Sequence, residues 1–89
     1  MQKKQNKIKL SIVIPVLNEG ENLKALIKIL KSIVDYDNEI LVVYDIDGDN
    51  SIPVVKNLQE NYPNLRLVHN EIGRGVINAI KSGVKSAVG

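Results

Sequence analysis

The sequence predicts an α/β fold in which three parallel strands alternate with three helices, one half of a doubly wound sheet. Three observations predict it. Short apolar runs of strand length recur three times along the chain, and each is followed by apolar residues at helical spacing. The segments that leave the strands are polar, acidic or glycine-bearing, as connecting loops are. Strand–helix alternation of this kind calls for a parallel sheet with right-handed crossovers.

The first strand runs from Ile8 to Val16 and is apolar on both faces at Ile12, Val13 and Ile14, as a strand covered by helices on two sides must be. In the first helix Leu23, Leu26, Ile27, Leu30 and Val34 recur at helical spacing, with Lys24, Lys28 and Lys31 on the other side. The second strand, Glu39 to Tyr44, carries Ile40, Leu41, Val42 and Val43 and ends in the acidic loop Asp45 to Ser51. A second helix begins near Pro53, a residue favoured in the first turn, and bears Val54, Val55 and Leu58. Asn61 to Asn64 reads as a turn, Leu65 to Val68 as a third strand, and His69 to Gly75 as the loop after it. In the third helix Val76, Ile80, Val84 and Ala87 form the apolar stripe. Gly83 inside that helix costs about 1 kcal/mol relative to alanine, which points to close packing on the sheet.

A chain of 89 residues allows one small, marginally stable domain, and the absence of cysteine excludes a disulfide framework or a thiolate metal site. The net charge is only +2 and the lysines are spread along helices, so no dedicated nucleic-acid surface is expected. The basic start followed by Leu10 to Leu17 is not a secretory signal. Ser11 and Pro15 interrupt the run, Asn18 and Glu19 arrive too early, and no small-residue cleavage site follows. No apolar run approaches the roughly 20 residues a membrane helix needs. Residues 1–8 are expected to form a flexible basic leader.

Ligands of such sheets bind beyond the carboxyl ends of the strands, which directs attention to three loops. In the first, Pro15 to Glu21, Asn18 followed three residues later by Glu21 matches a capping box, a purely structural role. In the second, Asp45, Asp47 and Asp49 stand at alternate positions, where carboxylates repel one another unless a cation, a donor or water shares them. A solvated turn that caps the second helix through Asn50 or Ser51 remains open. A calcium loop is set aside, because Asn50 replaces the required glycine and Lys56 the bidentate glutamate. In the third, Gly73-Arg74-Gly75 precedes a helix, whose free N–H groups attract an anion and to which Arg74 adds a charged fork. The dinucleotide fingerprint is not met, since Asn78 occupies its third glycine position. His69 reads as a strand-end residue rather than a base.

Three signatures appear in order: Pro15, Asn18-Glu19 and Glu21-Asn22-Leu23; Asp45 and Asp49; then Gly73, Gly75, Ala79, Gly83, Ala87 and Gly89. Together they resemble the inverting family-two glycosyltransferases, particularly dolichol- or polyprenol-phosphate mannosyltransferases. The resemblance implies a three-layer Rossmann-like (GT-A) half-domain over residues 1–89, the amino-terminal nucleotide-binding portion of a transferase. It assigns donor binding to Pro15, Leu17, Glu19, Asp45, Asp47, Gly73 and Arg74, and assigns no catalytic residue and no metal ligand. Pro15 and Glu19 would line the nucleoside pocket, Asp45 would accept from the base and Arg74 would face the pyrophosphate. Leu17 stands where the family often has tyrosine, Tyr44 replaces the first residue of the usual acidic pair, and Asp47-Gly48 replaces a serine-containing stretch.

The implied partner is a UDP- or GDP-linked sugar, with a lipid-phosphate or glycan acceptor and no nucleic acid. The family's Asp-x-Asp and catalytic base lie beyond the position matching Gly89. A divalent cation, magnesium or manganese, is therefore expected for the full-length enzyme only, and the fragment is expected to be inactive. The implied location is cytoplasmic, peripheral at the cytoplasmic face of a membrane. Two other classes fit parts of the pattern. A haloacid-dehalogenase-like phosphatase would use Asp45 as nucleophile and Asp47 as acid/base. A non-catalytic module would self-associate: if the natural sheet continues past Gly89, truncation leaves the apolar edge strand Leu10 to Val16 unpaired, and a homo-oligomer of the fragment is expected on that account.

Overall fold

Three parallel strands order themselves as in the chain. The computed structural model describes residues 8, 10–34 and 37–88. The expected leader, Ile8 apart, lies outside the described residues. The elements are β1 (Leu10–Pro15), α1 (Gly20–Ile33), β2 (Asn38–Tyr44), α2 (Ser51–Leu58), β3 (Leu65–His69) and α3 (Val76–Ser86). β2 lies between β1 and β3, with Ile12 opposite Ile40 and Ile40 opposite Leu65. α1 and α2 pack against each other on one face of the sheet, and among the described helices and strands α3 packs against the strands and not against α1 or α2, which makes a three-layer α/β/α arrangement.

The two-residue period of a strand divides the core. Ile12, Ile14, Ile40 and Val42 face α1 and α2, where they meet Leu23, Ile27, Val55 and Leu58. Val13 and Val43 face α3. Ile40, Leu41, Val42 and Val43 are fully buried. Each such side chain is worth roughly 1.5–3 kcal/mol on removal from water, so the central strand carries a large share of the stability.

α3 departs from the reading of its sequence. The stripe Val76, Ile80 and Val84 is exposed, and the helix instead buries Ala79, Ser82 and Gly83 against the sheet. At 100° per residue the buried face is rotated by about a quarter turn or slightly more from the expected one. The reason is proximity: a Cβ on Gly83 would lie 2.3 Å from Cγ1 of Val13 and 3.1 Å from Cγ2 of Val43. At that approach only small side chains fit, and the branched residues turn away. The close packing expected of Gly83 is therefore present, on a different face.

A buried charge ties down the amino ends of the strands. Glu39, 1% exposed, accepts from Ser11 Oγ, Arg66 Nη1 and the Val88 N–H, each at 2.6 Å, so one carboxylate links β1, β2, β3 and the residues after α3. Burial opposes its ionisation, but the bonds from Ser11, Val88 and Arg66 outweigh that and hold the carboxyl below its ordinary value.

Candidate functional site

The loops after all three strands meet at one end of the sheet. A cavity of about 220 Å³ is lined by Pro15, Val16, Leu17 and Glu19 from the first loop, by Asp45 from the second, and by Gly75, Val76 and Ala79 from the third and the start of α3. A neighbouring cavity of about 190 Å³ shares Pro15, Val16 and Glu19 and extends under Asn22 and Leu26 of α1. Larger grooves lie between α1 and α2, about 500 Å³, and along β3 and α3, about 470 Å³. Neither gathers all three loops, and convergence rather than size distinguishes a ligand site in this topology.

The first two loops are fastened to each other. The N–H groups of Asn18, Glu19 and Gly20 donate to Asp49 Oδ2, Ser51 Oγ and Asn50 Oδ1, and the Asn50 N–H donates back to Asn18 Oδ1. These bonds satisfy the first free N–H groups of α1 from outside the helix. The expected capping box is thereby overturned: the residue at the start of α1 is Glu19, no side chain caps it, and Asn18 sits at φ 52 with its carbonyl turned to α2. Gly20 permits the approach, because a Cβ there would stand 2.7 Å from the Asn50 carbonyl oxygen.

The acidic cluster separates into three roles. Asp49, 2% exposed, spends Oδ2 on the Asn18 N–H and Oδ1 on the Ser51 N–H at 2.7 Å. It is a brace between loops and the brace that opens α2. Asp47 is exposed and does not line the cavity. Asp45 does line it, and its Oδ1 accepts from Asn70 Nδ2 at 2.6 Å while Oδ2 is 3.5 Å from the Gly75 N–H.

Asn70 belongs to none of the sequence motifs. It is 6% exposed and uses its whole amide: Nδ2 donates to Asp45 and to the Gly73 carbonyl, and Oδ1 accepts from the Ile72 N–H and from the buried Ser82 Oγ. Both donors and both acceptor lone pairs are engaged, which fixes the Asp45 carboxylate and the third loop together. A polar residue directly after a strand, twelve before a serine on the next helix, was the signal available.

Of the expected residues, the structure brings Pro15, Leu17, Glu19 and Asp45 together. Asp47, Gly73 and Arg74 lie outside the cavity lining; Arg74 is exposed beside it, next to Gly75, at whose carbonyl the α3 ladder begins. His69 ends β3, stacks obliquely on Tyr44 at 5.2 Å and has its Nε2 3.2 Å from the Asp45 carbonyl. Among the described residues no three histidine, aspartate or glutamate side chains group so as to hold a metal ion; Asp49 is committed to backbone N–H groups, and Asp47 is exposed and outside the cavity that Asp45 lines. No helix among them is long and apolar enough to cross a membrane.

A family model described as glycosyl transferase family 2 matches residues 11–89. Over 81 residues, 91% of this chain, the sequence is 33% identical to a protein of Escherichia coli (strain K12) named "Uncharacterized glycosyltransferase YibD". Over 78 residues, 88% of the chain, it is 26% identical to the poly-beta-1,6-N-acetyl-D-glucosamine synthase of Staphylococcus epidermidis (strain ATCC 35984 / DSM 28319 / BCRC 17069 / CCUG 31568 / BM 3577 / RP62A). The chain spans 23% and 19% of those relatives' lengths.

Proposed function

We propose, from the premise that this chain belongs to glycosyl transferase family 2, that its three-loop cavity receives the nucleoside of a nucleotide-sugar donor. The observation that carries the reading is the convergence of Glu19, Asp45 and Gly75 on one space at the carboxyl ends of the strands. At about 220 Å³ that space is smaller than the roughly 300–1,000 Å³ of whole ligand pockets, so it suits the nucleoside, with the diphosphate emerging past Gly75. Pro15, Leu17, Val76 and Ala79 offer apolar walls to the base and ribose, and the amino end of α3 offers N–H groups to phosphate, with Arg74 beside them.

Asp45 selects the base. Its Oδ1 is engaged by Asn70 at 2.6 Å, whereas Oδ2 meets the Gly75 N–H at a long 3.5 Å and keeps a lone pair to accept a ring N–H. The single ring N–H of uracil matches one available oxygen better than the paired donors of guanine, which favours a UDP-linked sugar. Residues 1–89 form the amino-terminal, donor-binding portion of an inverting transferase whose acceptor is a lipid phosphate or a glycan, acting on the cytoplasmic side of a membrane. A divalent cation would neutralise the departing diphosphate in this chemistry, and the described side chains form no cluster that would hold one. The 89 residues alone bind without transferring sugar.

Calorimetric titration with UDP, GDP and inorganic phosphate tests the reading. UDP is expected to bind, GDP more weakly and phosphate least. Asp45→Asn, which removes a charged acceptor worth about 1.5–3 kcal/mol, is expected to weaken UDP by roughly 10- to 150-fold. Equal affinity for all three ligands, or an unchanged Asp45→Asn variant, would exclude base recognition by this loop. The phosphatase alternative needs Asp45 and Asp47 to face one substrate, and Asp47 does not line the cavity.

A further inference from the structure

The second loop is fastened at two points and bare between them. Asp45 is held through Oδ1 by Asn70 Nδ2 at 2.6 Å, and Asp49 through both oxygens by the N–H groups of Asn18 and Ser51. Between them stand Asp47 and Gly48, both exposed, at the corner of a turn closed by one bond, from the Asp49 N–H to the Ile46 carbonyl at 3.2 Å. Neither the Asp47 carboxylate nor the Gly48 N–H has a hydrogen-bond partner among the described residues. A Cβ built on Gly48 would meet nothing within 4 Å. An unengaged carboxyl thus precedes an unengaged amide nitrogen that no side chain screens.

In that arrangement a peptide can attack its own side chain. The Gly48 nitrogen adds to Cγ of the protonated Asp47 carboxyl, a C–N bond forms, and the carboxyl OH leaves with the amide proton as water. The product is a five-membered succinimide. Water then reopens the ring at one of its two carbonyls. Attack at Cγ restores aspartate; attack at the former backbone carbonyl leaves the peptide bond on Cγ and frees the backbone carbonyl as a carboxylate. Mass and charge are unchanged, and the main chain gains one methylene. The neighbouring aspartates are protected. Asp45 has its carboxylate engaged and is followed by the branched Ile46. Asp49 is buried with both oxygens engaged, and the N–H that follows it, of Asn50, donates to Asn18 Oδ1.

We propose that Asp47-Gly48 is a site of spontaneous isoaspartate formation that lengthens the second loop between its two fastened carboxylates. The turn bond from the Asp49 N–H to the Ile46 carbonyl closes a ring that contains the rearranged peptide, so that ring gains an atom and this bond is the one lost. The new carboxylate is the group that isoaspartate-specific methyltransferases accept, and the exposure of Asp47 leaves it within their reach. The inference rests on the chemistry of the loop alone and stands independently of the donor-binding reading.

The folded chain, held at neutral pH for several weeks, is expected to accumulate isoaspartate at Asp47 and not at Asp45 or Asp49. Labelling with an isoaspartate-specific methyltransferase, located by tandem mass spectrometry, measures it. Asp47→Glu, for which the ring would need six members, and Gly48→Val, whose branched side chain hinders the nitrogen, are each expected to reduce the label at this pair to background. Gly48 lies outside the left-handed region and faces open space, so folding of the valine variant is retained by circular dichroism. In the isomerised fraction, separated by ion exchange, the Asp49 N–H is expected to exchange with solvent faster than in the unmodified chain. Absence of label at Asp47, equal label at Asp45 or Asp49, label that survives either substitution, or unchanged exchange at Asp49 would overturn the proposal.

Discussion

Asn70 offers the sharpest test of how the site is held. Removing its side chain in Asn70→Ala deletes four hydrogen bonds, to Asp45, Gly73, Ile72 and Ser82. At about 0.5–1.5 kcal/mol net for each bond to a group that water can reach, the three outer contacts account for roughly 1.5–4.5 kcal/mol. Ser82 differ because it is 6% exposed and loses its acceptor where water does not replace it, adding about 1–3 kcal/mol. The central expectation is a loss of about 5 kcal/mol. A chain of 89 residues has a total stability of roughly 4–13 kcal/mol, so the variant stands near the edge of folding.

The structure predicts in addition that part of this loss is recoverable. In Asn70→Ala/Ser82→Ala the orphaned hydroxyl is gone, and the double variant is expected to be more stable than the sum of the single losses implies by about 1–2 kcal/mol. Urea unfolding followed by circular dichroism at neutral pH measures all four corners of the cycle. A loss below about 1 kcal/mol for Asn70→Ala, or additivity within about 0.3–0.5 kcal/mol, would refute the claim that Asn70 is the hub of this corner.

Two further outcomes follow from other contacts. Glu39 has a folded-state pKa below the ordinary 4.5, so its contribution is present above pH 4.5 and is lost as pH falls through the depressed folded value; Glu39→Gln is expected to remove that part of the acid sensitivity, and a variant that unfolds with an unchanged acid profile would contradict it. Gly83→Ala improves helix propensity by about 1 kcal/mol but drives a Cβ to 2.3 Å from Val13 Cγ1, an overpacking cost of about 1–3 kcal/mol, so a net loss of up to about 2 kcal/mol is expected in thermal unfolding, and a clear gain would show that α3 has room to move.

The strands and the order of elements were legible because their signal is periodic and local. Ile40 to Val43 can only be a strand covered on both faces, and the sheet places it in the middle. The orientation of α3 was not legible, because apolarity marks the face that wants burial and not the face that fits. Val76, Ile80 and Val84 satisfy the first criterion, whereas Ala79, Ser82 and Gly83 satisfy the second, and the distance from Val13 to Gly83 decides between them.

The site was legible as loops and illegible as side chains. Asp45, Asp47 and Asp49 are equivalent in a pattern of alternate carboxylates, but two residues of separation are enough to send one into the cavity, one to solvent and one into the joint between loops. What distinguishes them is their donors. Asp49 has the Asn18 and Ser51 N–H groups, which lie on the loop before α1 and at the start of α2; Asp45 has Asn70, which lies at the end of β3. Each carboxylate therefore joins a different pair of loops, Asp49 the first to the second and Asp45 the second to the third. A cavity bounded by three loops needs both joints to keep its shape, and the carboxylates of Asp45 and Glu19 both line the space they enclose. The geometry thus separates what holds the site from what the site offers, a separation the spacing of the residues does not contain.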